Sequence, residues 1–268
     1  IAADRIFATL KHYVHGSPQN GLNVGPADMS ERMLREVYLP PFTRAVRSAH
    51  AAVIMPSYNE VARIPAHANT ELLQRTGREL IGFQGAYFSD YNGVRELASL
   101  HKMAANASEA ATLAINAGVD VDLPEGANYA LLADLVREGK VEEKTIDAAV
   151  SRVLGMKFEA GLFENPYADP GRAERILSDP AGPALARKLA QRSIVLLKNK
   201  DILPLDPNRA ARIAVIGPNS REALRGGYSG EPKRAIGILE GLRAAGGPQV
   251  IIEQADGVWI TAPGPAGA

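Results

Sequence analysis

Four short apolar segments that each end in polar residues constrain the fold of this chain more than any other feature. In chain order they are IFATLKHYVHG, AAVIMPSYNE, GAYFSDYNG and AGVDVDLPEG. Between and after them, apolar residues recur every three or four positions, which predicts helices over residues 30–49, 108–116, 129–139 and 143–158. Buried strands that alternate with helices predict a parallel sheet covered by helices. The sequence therefore predicts an α/β fold, either a (β/α) barrel or a doubly wound sheet.

Both of these folds place functional residues at the carboxyl ends of their strands, where the four polar clusters would meet. Four strands supply about half of an eight-stranded barrel. The chain begins inside a predicted strand, and its first residue is Ile rather than Met. We therefore expect residues 1–160 to form a truncated barrel whose natural start lies upstream, and we assign no cellular compartment.

A change of composition predicts a second domain. Residues 161–183 are rich in Pro, Gly, Asp and Asn, which favour turns, so they are interpreted as a linker. Residues 184–268 alternate again between predicted helices, near 184–192 and 235–245, and the predicted strands SIVLLKN, ARIAVIGPN and QVIIEQ. The final TAPGPAGA has no apolar periodicity and is predicted to be a flexible tail.

The charge balance excludes several classes of partner. Thirty Lys and Arg residues match thirty Asp and Glu residues, so no excess positive field is available for nucleic acid or an anionic membrane surface. No apolar run is long enough to cross a bilayer. The chain has no Cys, and its His residues have no acidic partners at metal-ligand spacing. We expect a neutral substrate and no metal site.

Asp90 is the leading candidate for catalysis. It ends the most strand-like segment, between Ser89 and Tyr91. A carboxylate in this position can attack an anomeric carbon or hold a metal, and a neighbouring aromatic ring can pack against a sugar. It can equally cap the helix that is predicted to follow. Spacing alone leaves these alternatives open.

Other strand ends carry further candidates. Lys11 and His12 close the first segment, where a Lys can form a Schiff base, donate to hydroxyl groups or simply pair with a carboxylate. At the end of the second segment, Met55 is interpreted as a wall residue and Tyr58 as a core residue with a satisfied hydroxyl, whereas Glu60 is either a general acid or a solvated side chain. The aspartates of GVDVDLPEG lack the ligand spacing of an EF-hand, and the glycine-rich residues 217–230 match no nucleotide-binding pattern.

Taken together and in order, the segments resemble glycoside hydrolase family 3, in its multidomain β-glucosidase and β-xylosidase branch. The similar segments are ATLKHYV, DMSERMLREVYLPPF, MPSYNEV, IPAHAN, GFQGAYFSDYNGVREL, AGVDVDLP, AVSRVLGMKFEAGLFENPY, SIVLLKNKDILPL, IAVIGPNSRE and GGYSG. The resemblance implies the C-terminal part of a TIM-like (β/α) barrel followed by the beginning of an α/β sandwich domain.

The resemblance also implies residue roles. Asp90 would be the nucleophile of a retaining glycosidase, Lys11 and His12 would donate hydrogen bonds to sugar hydroxyls, and four residues would line or border the sugar site: Met55, Tyr58, Tyr91 and Arg95. The acid/base Glu of this branch would lie beyond GGYSG, and no residue here matches it. No metal or organic cofactor is implied. The segment ADMSERM lacks the His that hexosaminidases of the family use.

The implied activity is hydrolysis of terminal non-reducing β-D-glucosyl or β-D-xylosyl residues. A non-catalytic sugar-binding fragment is the alternative, and a Schiff-base aldolase that uses Lys11 is a weaker one. The expected partner is a small β-glycoside or oligosaccharide. Half a barrel leaves strand edges uncovered, so a homodimer is also expected.

Overall fold

A computed structural model describes residues 6–16, 22–209, 211–232 and 234–258. The chain divides into two compact units, residues 1–170 and residues 171–268. Over the described residues, every helix is too short or too polar to span a lipid bilayer.

The first unit is built on a small parallel sheet. Its strands are β1 (Thr9–Tyr13), β2 (Val53–Pro56), β3 (Glu60–Val61), β4 (Ile64–Pro65) and β5 (Ala86–Tyr87). β1, β2 and β5 pair in parallel in that order, with Thr9 opposite Val53 and Val53 opposite Ala86. β3 and β4 form a short antiparallel hairpin. The fourth predicted strand is reduced to a single parallel bridge between Phe88 and Val121.

Helices cover the connections between these strands. They are α1 (Glu31–Met33), a π-helical turn (Leu34–Tyr38), α2 (Leu39–Ala49), a 3-10 turn (Ala66–Ala68), a π-helix (Glu71–Ile81), α3 (Gly93–Ser99), α4 (Ala107–Ala117), a 3-10 turn (Tyr129–Leu131), α5 (Leu132–Arg137) and α6 (Glu143–Glu159). The Ser30 hydroxyl begins α1 by accepting from the N–H of Met33, and Asn106 caps α4 in the same way. Gly118 ends α4 in a left-handed conformation that an L side chain rarely adopts.

Apolar side chains of the sheet pack against the π-helix and α3. Tyr13, Phe83 and Tyr87 are fully buried within one continuous cluster. The two buried hydroxyls are satisfied, because Tyr13 donates to the carbonyl of Leu72 and Tyr87 donates to that of Leu73. The sheet is thereby fixed against the helices, which positions the loops at its carboxyl edge.

Asp120 ties the sheet to two helices. Its Oδ1 accepts from the guanidinium of Arg152 on α6 at 2.7 and 2.9 Å, and its Oδ2 accepts from Arg78 of the π-helix at 3.1 Å and from the N–H of Tyr87 at 2.8 Å. Burial raises the pKa of the Asp120 carboxyl, and the hydrogen bonds from Arg152 oppose that rise. Asp120 therefore connects β5 to both of these helices.

The second unit contains α7 (Pro170–Leu177, whose first residue lies at the boundary), α8 (Ala181–Ser193), β6 (Ala211–Ile216), a 3-10 turn (Pro218–Ser220), α9 (Ile238–Ala245) and β7 (Val250–Ala255). β6 and β7 pair in parallel along their whole length. An α/β arrangement is therefore present here too.

Two local predictions for this unit differ from the structure. The predicted strand SIVLLKN is irregular between residues 194 and 199, and Ile194 and Leu197 are exposed, with no strand paired to them among the described residues. The segment predicted as a linker contains α7, whose first residue, Pro170, is compatible with a helix start. The predicted flexible tail, TAPGPAGA, lies outside the described residues.

Candidate active site

The parallel pairing of β1, β2 and β5 brings three polar clusters to one edge of the sheet. Tyr13 lies opposite Pro56, and Ile54 lies opposite Tyr87, so the residues that follow β2 and β5 are neighbours in space. His12 approaches from β1, Tyr58 from the turn after β2, and Asp90 from the loop after β5. This edge is the candidate active site.

The carboxylate of Asp90 is held asymmetrically. Oδ1 accepts from the hydroxyl of Tyr58 at 3.0 Å and from the N–H of Tyr91 at 2.8 Å. The Tyr58 hydroxyl has only one proton to donate, and this proton is shared between Oδ1 of Asp90 and the carbonyl oxygen of Tyr91, which lies 2.8 Å from the hydroxyl. Oδ2 has no hydrogen-bond donor among the described residues, and the whole residue is only 7% exposed. One oxygen is thus fixed while the other remains available.

His12 is the side chain nearest to the available oxygen. Its Nε2 lies 3.2 Å from Oδ2 of Asp90, in a geometry that does not make a hydrogen bond. Burial and the neighbouring charge of Lys11 lower the pKa of His12, and the charge of Asp90 opposes this only in part. His12 is therefore favoured in its neutral form near pH 7.

The backbone N–H of Asp90 is anchored by His67, whose only functional role suggested by the sequence was that of a metal ligand. The N–H of Asp90 donates to Nε2 of His67 at 3.0 Å, and His67 is 2% exposed. Burial lowers the pKa of His67 to about 4, so the ring is neutral and this bond assigns its proton to Nδ1. The small and apolar neighbours of His67 in IPAHAN were the signal that it is buried.

The capping alternative for Asp90 does not hold. α3 begins after Asn92, and its first turn has no side-chain cap. Asp90 contributes its carbonyl oxygen to the turn, where it accepts from the N–H of Gly93 at 2.9 Å, while its carboxylate points to Tyr58 and Tyr91. The side chain of Asp90 is consequently not used to start the helix.

The other candidates lie at different distances from this centre. Lys11 is exposed and lines a cavity of about 620 Å³ together with His12. Met55 is half-buried on β2, and Tyr91 is 56% exposed. Arg95 instead lines a separate cavity of about 340 Å³ with Asp122, Glu125 and Asn128. The structure therefore joins His12, Tyr58, Asp90 and Tyr91 directly, whereas the place of Arg95 at the sugar site stays a prediction.

Two further acidic residues have structural partners. Oδ2 of Asp122 accepts from the N–H and the side-chain amide of Asn128 at 2.9 and 3.1 Å. Glu60 lies 3.2 Å from a ring nitrogen of His101 and is not the freely solvated side chain that a lone loop Glu usually is. Within the described ranges, no group of three or more His, Cys, Asp or Glu residues is arranged to hold a metal ion.

Comparison with known proteins places these features in a family. Residues 2–156 match the glycosyl hydrolase family 3 N terminal domain, and residues 194–258 match the glycosyl hydrolase family 3 C-terminal domain. A β-xylosidase of Formosa agariphila is 40% identical over 96% of this chain and 38% of its own length. A β-glucosidase of Rhizobium radiobacter is 36% identical over 91% of this chain and 28% of its own length.

Solved structures agree with the sequence matches. A β-glucosidase of Erythrobacter marinus superposes with a TM-score of 0.89 at 39% identity, over 97% of this chain and 35% of that one. A β-glucosidase of Listeria innocua in complex with glucose gives 0.85 at 33% identity, over 96% and 36%. The chain thus spans roughly a third of the length of these relatives, and the expected fold class, part of a TIM-like barrel followed by an α/β domain, is confirmed. The chain belongs to glycoside hydrolase family 3.

Proposed function

We propose that the protein containing this chain is a retaining β-glycosidase that removes terminal non-reducing β-D-glucosyl or β-D-xylosyl residues, with Asp90 as its nucleophile. The observation that carries the proposal is that the two carboxylate oxygens of Asp90 differ in their hydrogen bonds. Two donors fix Oδ1, and Oδ2 has no hydrogen-bond donor in the described part of the chain. A nucleophile needs one oriented lone pair that no donor occupies, and Oδ2 meets that requirement.

In the first step, Oδ2 of Asp90 would form a bond to the anomeric carbon while the bond from that carbon to the leaving oxygen breaks. A carboxylic acid, for which this chain offers no matched residue, would give its proton to the leaving oxygen. Water would then attack the glycosyl ester and return the carboxylate, with net retention of configuration. Asp90 must be ionised to begin this sequence.

The neighbouring side chains would bind and orient the sugar. Lys11 and neutral His12 both have N–H donors for hydroxyl groups, and Nε2 of His12 lies 3.2 Å from Oδ2 of Asp90. The half-buried thioether of Met55 and the exposed ring of Tyr91 would pack against the sugar. Arg95 lines a cavity with Asn92 and Asp122, and its proposed place at the border of the sugar site stays a prediction.

The names of the relatives support both sugars. The relatives include proteins named β-xylosidase and β-glucosidase at similar identity, 40% and 36%. Glucose differs from xylose by one hydroxymethyl group, and a pocket that tolerates this group accepts both. We therefore propose terminal β-glucosides and β-xylosides as one substrate class.

Substitution of Asp90 tests this function. Asp90→Asn keeps the shape but removes the nucleophilic charge, so hydrolysis of 4-nitrophenyl β-glucoside and β-xyloside should fall by roughly 10³-fold or more in the full-length protein. Asp147→Asn, at an exposed position of α6, is the matched control and should keep its activity. Wild-type turnover by Asp90→Asn, or a product of inverted configuration, would contradict the proposal.

A further inference from the structure

His101 lies behind Tyr58, between two groups that can accept hydrogen bonds. Its side chain is 5% exposed and follows α3 in the chain. Nε2 lies 3.1 Å from the carbonyl oxygen of Tyr58, and Nδ1 lies 3.2 Å from Oε1 of Glu60. Both distances are within the range of hydrogen bonds.

The chemistry of these partners fixes the number of protons. A carbonyl oxygen can only accept, so Nε2 of His101 must carry a proton. The second contact then needs another proton, either on Nδ1, which makes an imidazolium next to a carboxylate, or on Glu60, which would donate to Nδ1. In both cases the Glu60–His101 pair holds two protons and has no net charge. Loss of one proton would leave two lone pairs facing each other at 3.2 Å.

This pair holds the turn that carries Tyr58. Glu60 begins β3, two residues after Tyr58. His101 therefore contacts the turn at two points, the Tyr58 carbonyl and the Glu60 side chain. Asn59, fully buried between them, donates to the carbonyls of Asn23 and Gly25 from the other side. The backbone of the turn is thereby fixed, and the Tyr58 hydroxyl reaches Oδ1 of Asp90 from it.

We propose that Glu60 and His101 form a positioning pair, which orients the Tyr58 hydroxyl against the Asp90 carboxylate. The proposal rests on the proposed role of Asp90 as the nucleophile. Glu60 thereby supports Tyr58 through its contact with His101. This role replaces that of a general acid, which the sequence had left open for Glu60.

Two other titratable side chains face His101. Glu96 of α3 and His67 of the 3-10 turn both interact electrostatically with it, and the neighbouring Lys102 is exposed. His67 is neutral, and burial raises the pKa of Glu96. These groups surround His101, and its own hydrogen-bonding contacts to the turn are those with Glu60 and with the Tyr58 carbonyl.

A double-mutant cycle in the full-length protein tests whether His101 acts through Tyr58. The measured quantity is the rate at which 2,4-dinitrophenyl 2-deoxy-2-fluoro-β-glucoside labels Asp90, because this probe needs no acid to expel its leaving group. His101→Ala and Tyr58→Phe should each slow labelling about tenfold, which is the loss of one hydrogen bond to a charged group. The double variant should be no slower than Tyr58→Phe alone, because both changes remove the same contact.

The conservative variant of Glu60 distinguishes hydrogen bonding from packing. In Glu60→Gln, the amide N–H can donate to Nδ1 of a neutral His101 that still donates to Tyr58 through Nε2. Labelling should therefore be restored relative to Glu60→Ala. Glu79→Ala, at an exposed position of the π-helix, is the matched control and should label like the wild type.

The outcomes separate the two proposals. If the wild-type protein is never labelled at Asp90, the assignment of Asp90 as the nucleophile is wrong. The double-mutant cycle then has no labelling rate to compare. If Asp90 is labelled but His101→Ala slows the reaction equally with and without the Tyr58 hydroxyl, the positioning pair is wrong. The same holds if Glu60→Gln behaves like Glu60→Ala. Should His101→Ala fail to fold, Glu60→Ala supplies the cycle, because its side chain is 31% exposed.

Discussion

At the scale of single residues, the site is organised around what surrounds one carboxylate. Tyr58 and Tyr91 hold the Oδ1 atom of Asp90, and His67 holds its backbone N–H. Each of these groups comes from a different segment of the chain, so the geometry of Asp90 depends on the packing of all of them. Small changes in the supporting residues are therefore expected to alter catalysis without touching a substrate.

Gly93 is one such supporting residue. A Cβ atom at this position would lie 2.3 Å from Nε2 of His67, the atom that accepts from Asp90. Gly93→Ala should displace the buried ring and weaken this anchor, lowering the labelling rate of Asp90 by about tenfold or more. Gly155→Ala, where a Cβ would meet nothing within 4 Å, is the matched control. Equal labelling by the two variants would contradict the role of His67 as an anchor.

His67 also predicts how stability depends on pH. Its pKa is about 4 in the folded protein, whereas a His in the unfolded chain titrates near 6.5. Between these values the unfolded chain binds a proton that the folded chain does not, so stability falls as the pH is lowered from about 6.5 to about 4. The loss from this group is about 3 kcal/mol.

Urea unfolding of the wild type and of His67→Gln at pH 7 and pH 4.5 measures this effect. Gln cannot titrate in this range, so the variant should lose less stability on acidification than the wild type, even if it is less stable at pH 7. An identical acid-induced loss in both proteins would show that His67 does not remain neutral in the folded state.

The sequence indicated Asp90 and its strand-end neighbours because alternation along strands and polar clusters are local properties. It could not reveal the contact of Glu60 with His101, because these residues are 41 positions apart and meet only through packing. What the sequence missed in the site consists of contacts between distant segments.

At the scale of elements, Asp120 links the sheet to the π-helix and to α6. The carboxylate is 0% exposed, and the side chains of Arg78 and Arg152 are 14% and 26% exposed. Charges this deeply buried are tolerated only when each one is paired. Asp120 with its partners Arg78 and Arg152, here called the Asp120 clamp, therefore sets the position of β5, the strand that precedes Asp90.

Removal of one charge tests the clamp. Asp120→Asn leaves two guanidinium groups without their anion and should lower the free energy of unfolding of the first unit by about 3 kcal/mol. Asp134→Asn, which breaks an exposed ion pair with Arg137 on α5, should cost less than about 1 kcal/mol. Chemical denaturation of both variants measures the two changes in the free energy of unfolding. Equal decreases would mean that the Asp120 ion pairs do not stabilise the first unit as proposed.

Helix positions were largely predictable and short strands were not. The predicted helices over 108–116 and 143–158 correspond to α4 and α6 within about a residue, because both have apolar spacing and favourable ends. The π-helix Glu71–Ile81 was not among the predicted helices. SIVLLKN has the composition of a strand but forms none, because strand formation depends on a pairing partner that composition cannot supply.

At the scale of the whole molecule, the two units differ in how much apolar surface they bury. The first has a continuous core that includes Tyr13, Ile54, Leu73 and Phe83. In the second, only Val215 and Leu239 are buried hydrophobic residues within the described ranges. Stability is expected to follow buried apolar area, so the units should not open together. A homodimer through uncovered apolar edges stays a prediction for sedimentation measurements.

Hydrogen exchange of the 268-residue chain tests this difference. Amides of α4 and of the strand β2 should exchange slowly, whereas those of β6 and β7 should exchange at least tenfold faster, because fewer apolar contacts hold them closed. Mass spectrometry after proteolysis resolves the segments. Equal protection in both units would mean that the second is stabilised by contacts that burial does not reveal.

The most direct test of the central claim is covalent trapping of the nucleophile. The full-length protein is incubated with 2,4-dinitrophenyl 2-deoxy-2-fluoro-β-glucoside or the corresponding β-xyloside, digested and mapped by mass spectrometry. Because Oδ2 of Asp90 has no hydrogen-bond donor among the described residues, a single fluoroglycosyl adduct on Asp90 is expected, with no adduct in Asp90→Asn. An adduct on another residue, or hydrolysis of β-glycosides by Asp90→Asn at the wild-type rate, would contradict the assignment of Asp90 as the nucleophile.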